Sequence, residues 1–191
     1  MKESLTIVVL LLMSSNFVDS SIAPKKGVDP PAFPLDKCDT GRGWLQYNEH
    51  CYKLISPPEG GKSASAIESI CEVEGPSKGG SAISFLADVH SQAENDFIAE
   101  VVAGGNRAWL GASRFGGNWY WRINVKRGNQ EPGLPYTNWK PNEPSNTLNR
   151  ENCIEINRGP PGRWNDLYCS RKRPGVCKYS IAEWADGVVP K

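Results

Sequence analysis

Six cysteines constrain this chain more than any other feature: Cys38, Cys51, Cys71, Cys153, Cys169 and Cys177. They lie behind an apolar leader. Residues 5–13, LTIVVLLLM, follow Lys2 and are too short to cross a bilayer, which takes about 20 apolar residues. They fit the hydrophobic stretch of a secretory signal peptide, with Val18 and Ser20 as the small residues before a cut near Ser20. Residues 1–20 are therefore expected to be removed, and the protein to be secreted. An even cysteine count in that setting predicts three disulfides and a small, loop-rich fold. Spacing alone leaves the pairing open. No Cys-x-x-Cys pair is present, which argues against zinc and redox chemistry.

No second hydrophobic run follows the leader, so the mature chain is expected not to insert in a membrane. The formal net charge is +1, and the basic residues are scattered. Nothing forms the basic stripe that nucleic acid binding needs. Residues 21–37 carry four prolines and little apolar periodicity, and read as an extended segment. Beyond it, Ala64, Ala66, Ile67, Ile70 and Cys71 recur at helical spacing and predict a helix over 63–73. Residues 82–89 read as a strand. Ser91 followed by Glu94 makes a capping box for a second helix, with Phe97, Ile98, Val101 and Val102 as its apolar stripe and Gly104-Gly105 as its stop. Short strands at 108–110, 119–121, 153–156 and 175–179 then alternate with long polar loops. The class is α+β. The tryptophans concentrated in this half (Trp109, Trp119, Trp121, Trp139 and Trp164) are expected to pack the core.

The stretch from Trp139 to Cys169 carries the chemistry. Glu143, Glu151 and Asp166 gather there with Ser145 and Asn165, among proline and glycine turns and around Cys153 and Cys169. Carboxylate, amide and hydroxyl oxygens on constrained loops are the ligand set of calcium, which takes 6–8 oxygens. Two neighbouring hydroxyls of a sugar could complete such a shell. No nucleophile–base pair, phosphate-cradling glycine loop or zinc motif accompanies it, so an enzyme is not expected. His50 and His90, the only histidines, lie in different elements and suggest no zinc site.

The marks along the chain resemble the C-type lectin-like domain family. In order they are Gly43-Trp44, Glu49-His50-Cys51-Tyr52, the helix ending in Cys71, Leu86-Ala87-Asp88-Val89, Glu94-Asn95-Asp96-Phe97-Ile98 and Trp109-Leu110-Gly111. Tyr136-Thr137-Asn138-Trp139, Glu151-Asn152-Cys153, Trp164-Asn165-Asp166 and Val176-Cys177 complete the set. The resemblance spans 38–179, leaving 180–191 as a short tail. It implies two helices, small antiparallel sheets and a long calcium-binding loop region. It also implies pairings Cys71–Cys177, Cys153–Cys169 and, as in the family's longer form, Cys38–Cys51.

In sugar-binding members, one calcium on the long loop is held by a Glu-Pro-Asn tripeptide, a Glu before a cysteine, and the Asn-Asp of Trp-Asn-Asp. Carried onto this chain, the metal ligands are Glu143, Ser145 in place of the Asn, Glu151, Asn165 and Asp166, and the sugar contacts Glu143, Ser145, Glu151 and Asn165. The resemblance also implies a cis bond at Glu143-Pro144. Ser145 departs from the pattern, with a shorter reach and one donor where asparagine has two. The acid of the tripeptide stays in its mannose-type position, so a mannose-type glycan is expected over galactose. Arg114 and Asn146 stand where relatives place acids for a second calcium, so one ion is expected. The reading is a secreted lectin recognising microbial or self glycans. Its competitor is a calcium-independent protein of the same fold acting in extracellular matrix, biomineral or protein binding. No coiled-coil heptad or collagen repeat is present, so any homo-oligomer would use the domain surface or the leader.

Overall fold

The computed structural model describes residues 38–75, 83–128 and 132–181. The signal peptide, the proline-rich segment and Trp184 of the tail lie outside them. So does residue 82, the first of the strand expected over 82–89, of which the described part forms a strand only at Phe85–Leu86.

The first element is a hairpin of β1 (Leu45–Tyr47) and β2 (His50–Ile55), turned through Asn48 in the left-handed region at φ 51°. The Cys38–Cys51 disulfide ties the chain before it to β2. Helix α1 (Ala64–Glu74) begins at Ser63, whose side chain accepts the Ala66 N–H at the open N-terminus. Its buried residues Ala64, Ile67, Glu68 and Cys71 fall one helical turn apart. Cys71 joins Cys177 across a separation of 106 residues. A two-residue strand follows, β3 (Phe85–Leu86). Helix α2 (Gln92–Asp96) runs on through a wider π-turn, Phe97–Val102, and ends at Gly104 and Gly105, both at positive φ.

The second half is built from β4 (Ala108–Phe115), β5 (Asn118–Trp121), β6 (Cys153–Ile156), β7 (Trp164–Leu167) and β8 (Gly175–Ser180). A short helix, α3 (Arg122–Lys126), leaves β5 and was not expected from the sequence. The strands join in the order β1-β2-β8-β4-β6-β7, with β3 beside β8 and β5 beside β4. The β4–β8 pairing is parallel and the others antiparallel. Gly111 lets β4 pass close to β3: a Cβ there would stand 2.1 Å from the Leu86 carbonyl oxygen. The third disulfide, Cys153–Cys169, links β6 to the segment after β7.

Two apolar cores result. One surrounds Cys71–Cys177 and holds Trp44, Ile67 and Trp109. The other holds Ile98, Leu110, Trp121, Ile154 and Trp164, and lies beneath the long loop. Trp44, Trp109, Trp121 and Trp164 are fully buried, while Trp119 and Trp139 are half-buried. The expected role of the tryptophans in packing is therefore met. Trp164 is the hub, edge-on to Trp121, Tyr136 and Trp139, an arrangement that suits the quadrupoles of aromatic rings. No helix among the described residues is long and apolar enough to cross a membrane.

Candidate functional site

The loop that carries Glu143 and Ser145 is zipped to the edge of β7. Trp164 N–H donates to Asn138 O at 2.8 Å, and Lys140 N–H donates to Trp164 O at 2.9 Å. Past this anchor the Glu143–Pro144 peptide is cis, as expected. The backbone then enters the left-handed region at Asn146, Leu148 and Asn149, with φ of 45°, 55° and 55°. Asparagine tolerates that region and leucine does not. Leu148 is nonetheless held there with its side chain 75 % exposed.

The turn brings three carboxylates onto the backbone of 145–147. The Ser145 N–H is shared by Glu143 Oε2 at 2.9 Å and Asp166 Oδ1 at 3.0 Å. Asn146 N–H donates to Asp166 Oδ2 at 2.8 Å, and Thr147 N–H to Glu151 Oε2 at 2.9 Å. The Ser145 hydroxyl donates to Glu151 Oε2 at 3.2 Å. Lys140 pairs with Glu143 Oε1 at 3.3 Å. Four of the five ligands expected from sequence thus meet at one turn: Glu143, Ser145, Glu151 and Asp166. The part played by the Asn146 and Thr147 backbone N–H groups had no signal in the sequence, because it depends on the path of the turn and not on side-chain type.

Burial and the neighbouring acids both act on the carboxyl groups. Burial raises Asp166, the Asn146 N–H works against it, and the adjacent Glu143 and Glu151 add to it, leaving Asp166 at about 6. Burial acts on Glu143 in the same direction, but hydrogen bonds from Ser145 and its proton-sharing with Asp166 outweigh it and hold that group low. Such a set is short of positive charge. Hard carboxylate and hydroxyl oxygens on one turn fit calcium in their chemistry. As they stand, those oxygens are spent on N–H groups, and among the described residues no three acids, histidines or cysteines are poised around a single metal position. A cation would have to replace some of these N–H contacts.

Asn165 faces elsewhere. Alternation along β7 sends neighbouring side chains to opposite faces. The Asn165 amide nitrogen donates to Glu155 Oε1 at 3.1 Å, across the β6–β7 pair. Glu155 is fully buried and is met by Arg107 at 2.7 Å and Arg173 at 2.7 Å. This acid was not singled out in the sequence. It compensates two guanidinium groups and orients Asn165 beside Asp166.

A separate charged cluster joins residues from distant parts of the chain. Lys178 of β8 meets Asp88 at 2.8 Å and Glu94 at 2.7 Å, and Tyr52 donates to Glu94 at 2.6 Å. His90 Nε2 lies 2.7 Å from Asp88. His50 senses the charges of Lys178, Glu94, Asp88 and His90, so the two histidines converge although their elements are far apart in sequence.

The family profile of the Lectin C-type domain matches residues 62–179. A protein named Lectin from Pleurodeles waltl is 34 % identical over 153 residues, covering 76 % of this chain and 80 % of that protein. The crystal structure of the C-type lectin CEL-I from Cucumaria echinata superposes with a TM-score of 0.58 at 22 % identity, over 72 % of this chain and 95 % of that one. A calcium-independent type II antifreeze protein superposes with a TM-score of 0.57 at 22 % identity, over 72 % and 92 %. The two structures share the fold, and the sequence match over most of the domain shows that this chain belongs to the C-type lectin domain family.

Proposed function

We propose that this protein is a secreted lectin that binds carbohydrate through one calcium ion, with mannose-type glycans preferred over galactose. The observation that carries the reading is the convergence of Glu143, Ser145, Glu151 and Asp166 on one turn, with Asp166 raised by burial and then by its acidic neighbours. Glu143, Ser145, Glu151 and Asp166 would hold the ion, and Asn165 would join them only by giving up its contact with Glu155. Bound calcium supplies coordination positions that two vicinal sugar hydroxyls can fill. The chain's own groups supply the rest. Glu143 and Glu151 accept the hydroxyl protons, and the Asn165 amide and Ser145 hydroxyl donate. Lys140, 3.3 Å from Glu143, adds to the Ser145 and Asp166 hydrogen bonds that hold that acid low against burial.

The second reading is a calcium-independent protein of the same fold, acting on a protein, matrix or mineral partner. The contact of Asn165 with Glu155 favours it, because that amide already has a partner. Thermal unfolding of the protein in calcium, in chelator, and in calcium with mannose or galactose separates the two, since a ligand that binds only the folded state raises its stability. The expected result is a rise with calcium, a further rise with mannose, and no response in Glu151→Gln. A flat response to calcium in the unaltered protein would sink the lectin reading.

A further inference from the structure

One face of the β4–β5 hairpin, away from the acidic turn, forms a cavity of 560 Å³. It shares no lining residue with the Glu143–Asp166 cluster. Phe115, Tyr120 and Val125 supply its apolar lining, and Glu68, Ser113, Arg122 and Lys126 its polar lining. Phe115 at the end of β4 is 81 % exposed and Val125 of α3 is 43 % exposed, and both line the cavity with Tyr120. Surface aromatics this open generally mark a contact surface when they adjoin a concave site.

Glu68 of α1 also lines the cavity, and it is only 5 % exposed. Among the described residues no donor meets either of its carboxylate oxygens in hydrogen-bonding geometry, and the Leu86 N–H and the Lys126 ammonium reach it only weakly. The nearest cations are Lys126 at 3.7 Å and Arg122 at 4.0 Å. Both are engaged elsewhere: Lys126 with Glu72, and Arg122 with the Ser113 hydroxyl at 2.5 Å and Cys153 Sγ at 3.0 Å. Burial raises the Glu68 carboxyl, with the Arg122 and Lys126 charges and the Leu86 backbone opposing. A buried acceptor without a donor is costly, and a ligand that brings one is correspondingly favoured.

The charges around Glu68 narrow the choice of ligand. An added cation would meet Arg122 and Lys126, and an added anion would meet Glu68. A neutral hydroxyl both donates and accepts, so one such group can satisfy Glu68 and take a hydrogen bond from Lys126 or Arg122. We propose that this cavity is a second, calcium-independent binding site for a neutral amphiphile, with a hydroxyl-bearing head at Glu68 and an apolar body against Phe115, Tyr120 and Val125.

Calorimetric titration of the full chain in chelator tests this apart from the calcium site. Octyl glucoside, below its micelle concentration, is the probe. Methyl glucoside lacks the apolar body, and octyltrimethylammonium lacks the hydroxyl head. Octyl glucoside is expected to bind at least about tenfold more tightly than either comparator. Phe115→Ala, at an exposed position, and Glu68→Gln, which keeps the shape of the side chain, are each expected to weaken it about fivefold or more. No binding of octyl glucoside overturns the proposal. So does equal binding of octyltrimethylammonium, or an affinity unchanged by Glu68→Gln, which would mean that water alone serves the carboxylate.

Discussion

Ser145 shows how one side chain can decide the strength of a site whose geometry is set by its neighbours. Its backbone N–H bridges Glu143 and Asp166, and that contact is independent of residue type. Its hydroxyl reaches Glu151 and lies 3.5 Å from Asp166 Oδ1, offering one weak neutral oxygen to an ion. An asparagine amide reaches further and brings a stronger carbonyl ligand and two donors. On the proposed lectin reading, Ser145→Asn is expected to tighten calcium binding about tenfold, or ~1.4 kcal/mol, measured by calcium titration of intrinsic tryptophan fluorescence. Unchanged or weaker binding would mean that residue 145 lies outside the coordination shell. The acids at this turn could be picked out from sequence because their type and order are distinctive. Asn165 was equally visible by type, but its orientation depends on Glu155 across the sheet, a partner that has no local signature.

Among the elements, α2 shows how local and long-range contacts share one residue. The capping box was expected from Ser91 and Glu94, and the Ser91 hydroxyl does accept the Glu94 N–H at 3.2 Å. The return contact differs: Glu94 Oε2 takes the N–H of His90 at 2.8 Å, one residue earlier than the usual box. Its other oxygen is drawn to Tyr52 and Lys178 on β2 and β8. The two histidines at this junction should give opposite pH effects. The hydrogen bond to Asp88 raises His90 despite partial burial. Protonated His90 therefore stabilises the fold below about pH 6.5, and the gain fades as pH rises through its folded value. Burial, then the Lys178 charge, lowers His50. Its contribution is present above about pH 6.5 and fades as pH falls through its folded value. His90→Gln should therefore sharpen the acid loss of stability, and His50→Gln should flatten it, in melting temperatures recorded between roughly pH 5 and 8. Parallel shifts in the two variants would show that the histidines do not titrate against this cluster.

Across the whole molecule, the three disulfides differ most in the length of chain they close. Cys71–Cys177 spans 106 residues and Cys153–Cys169 spans 16. Loop closure in the unfolded chain then predicts about 4.7 kcal/mol for the first and about 3 kcal/mol for the second. Replacing each pair by alanine and following chemical denaturation should show the larger loss for Cys71–Cys177. The reverse order would mean that native packing around Cys153 outweighs the unfolded-state constraint. The long bridge also bears on function. It fixes α1 against β8 beside β4, while the short one fixes β6, which pairs with β7 beneath the acidic turn. Loss of the short bridge would loosen the site before it loosened the domain.

The sequence by itself determined what depends on local pattern and residue type. It carried both main helices, the order of most strands, the tryptophan core and the identity of the acids at the turn. The short strand β7 and helix α3 escaped it, because each is fixed by pairing and packing and not by periodicity. Only the tertiary structure decided which acids share a hydrogen bond, that Asn165 is held by Glu155, that His90 and Lys178 share Asp88, and that Glu68 is buried beside Arg122 and Lys126. Each of these is a contact between residues far apart in the chain, formed when strands from different parts of it come into register, and no local pattern encodes such a contact.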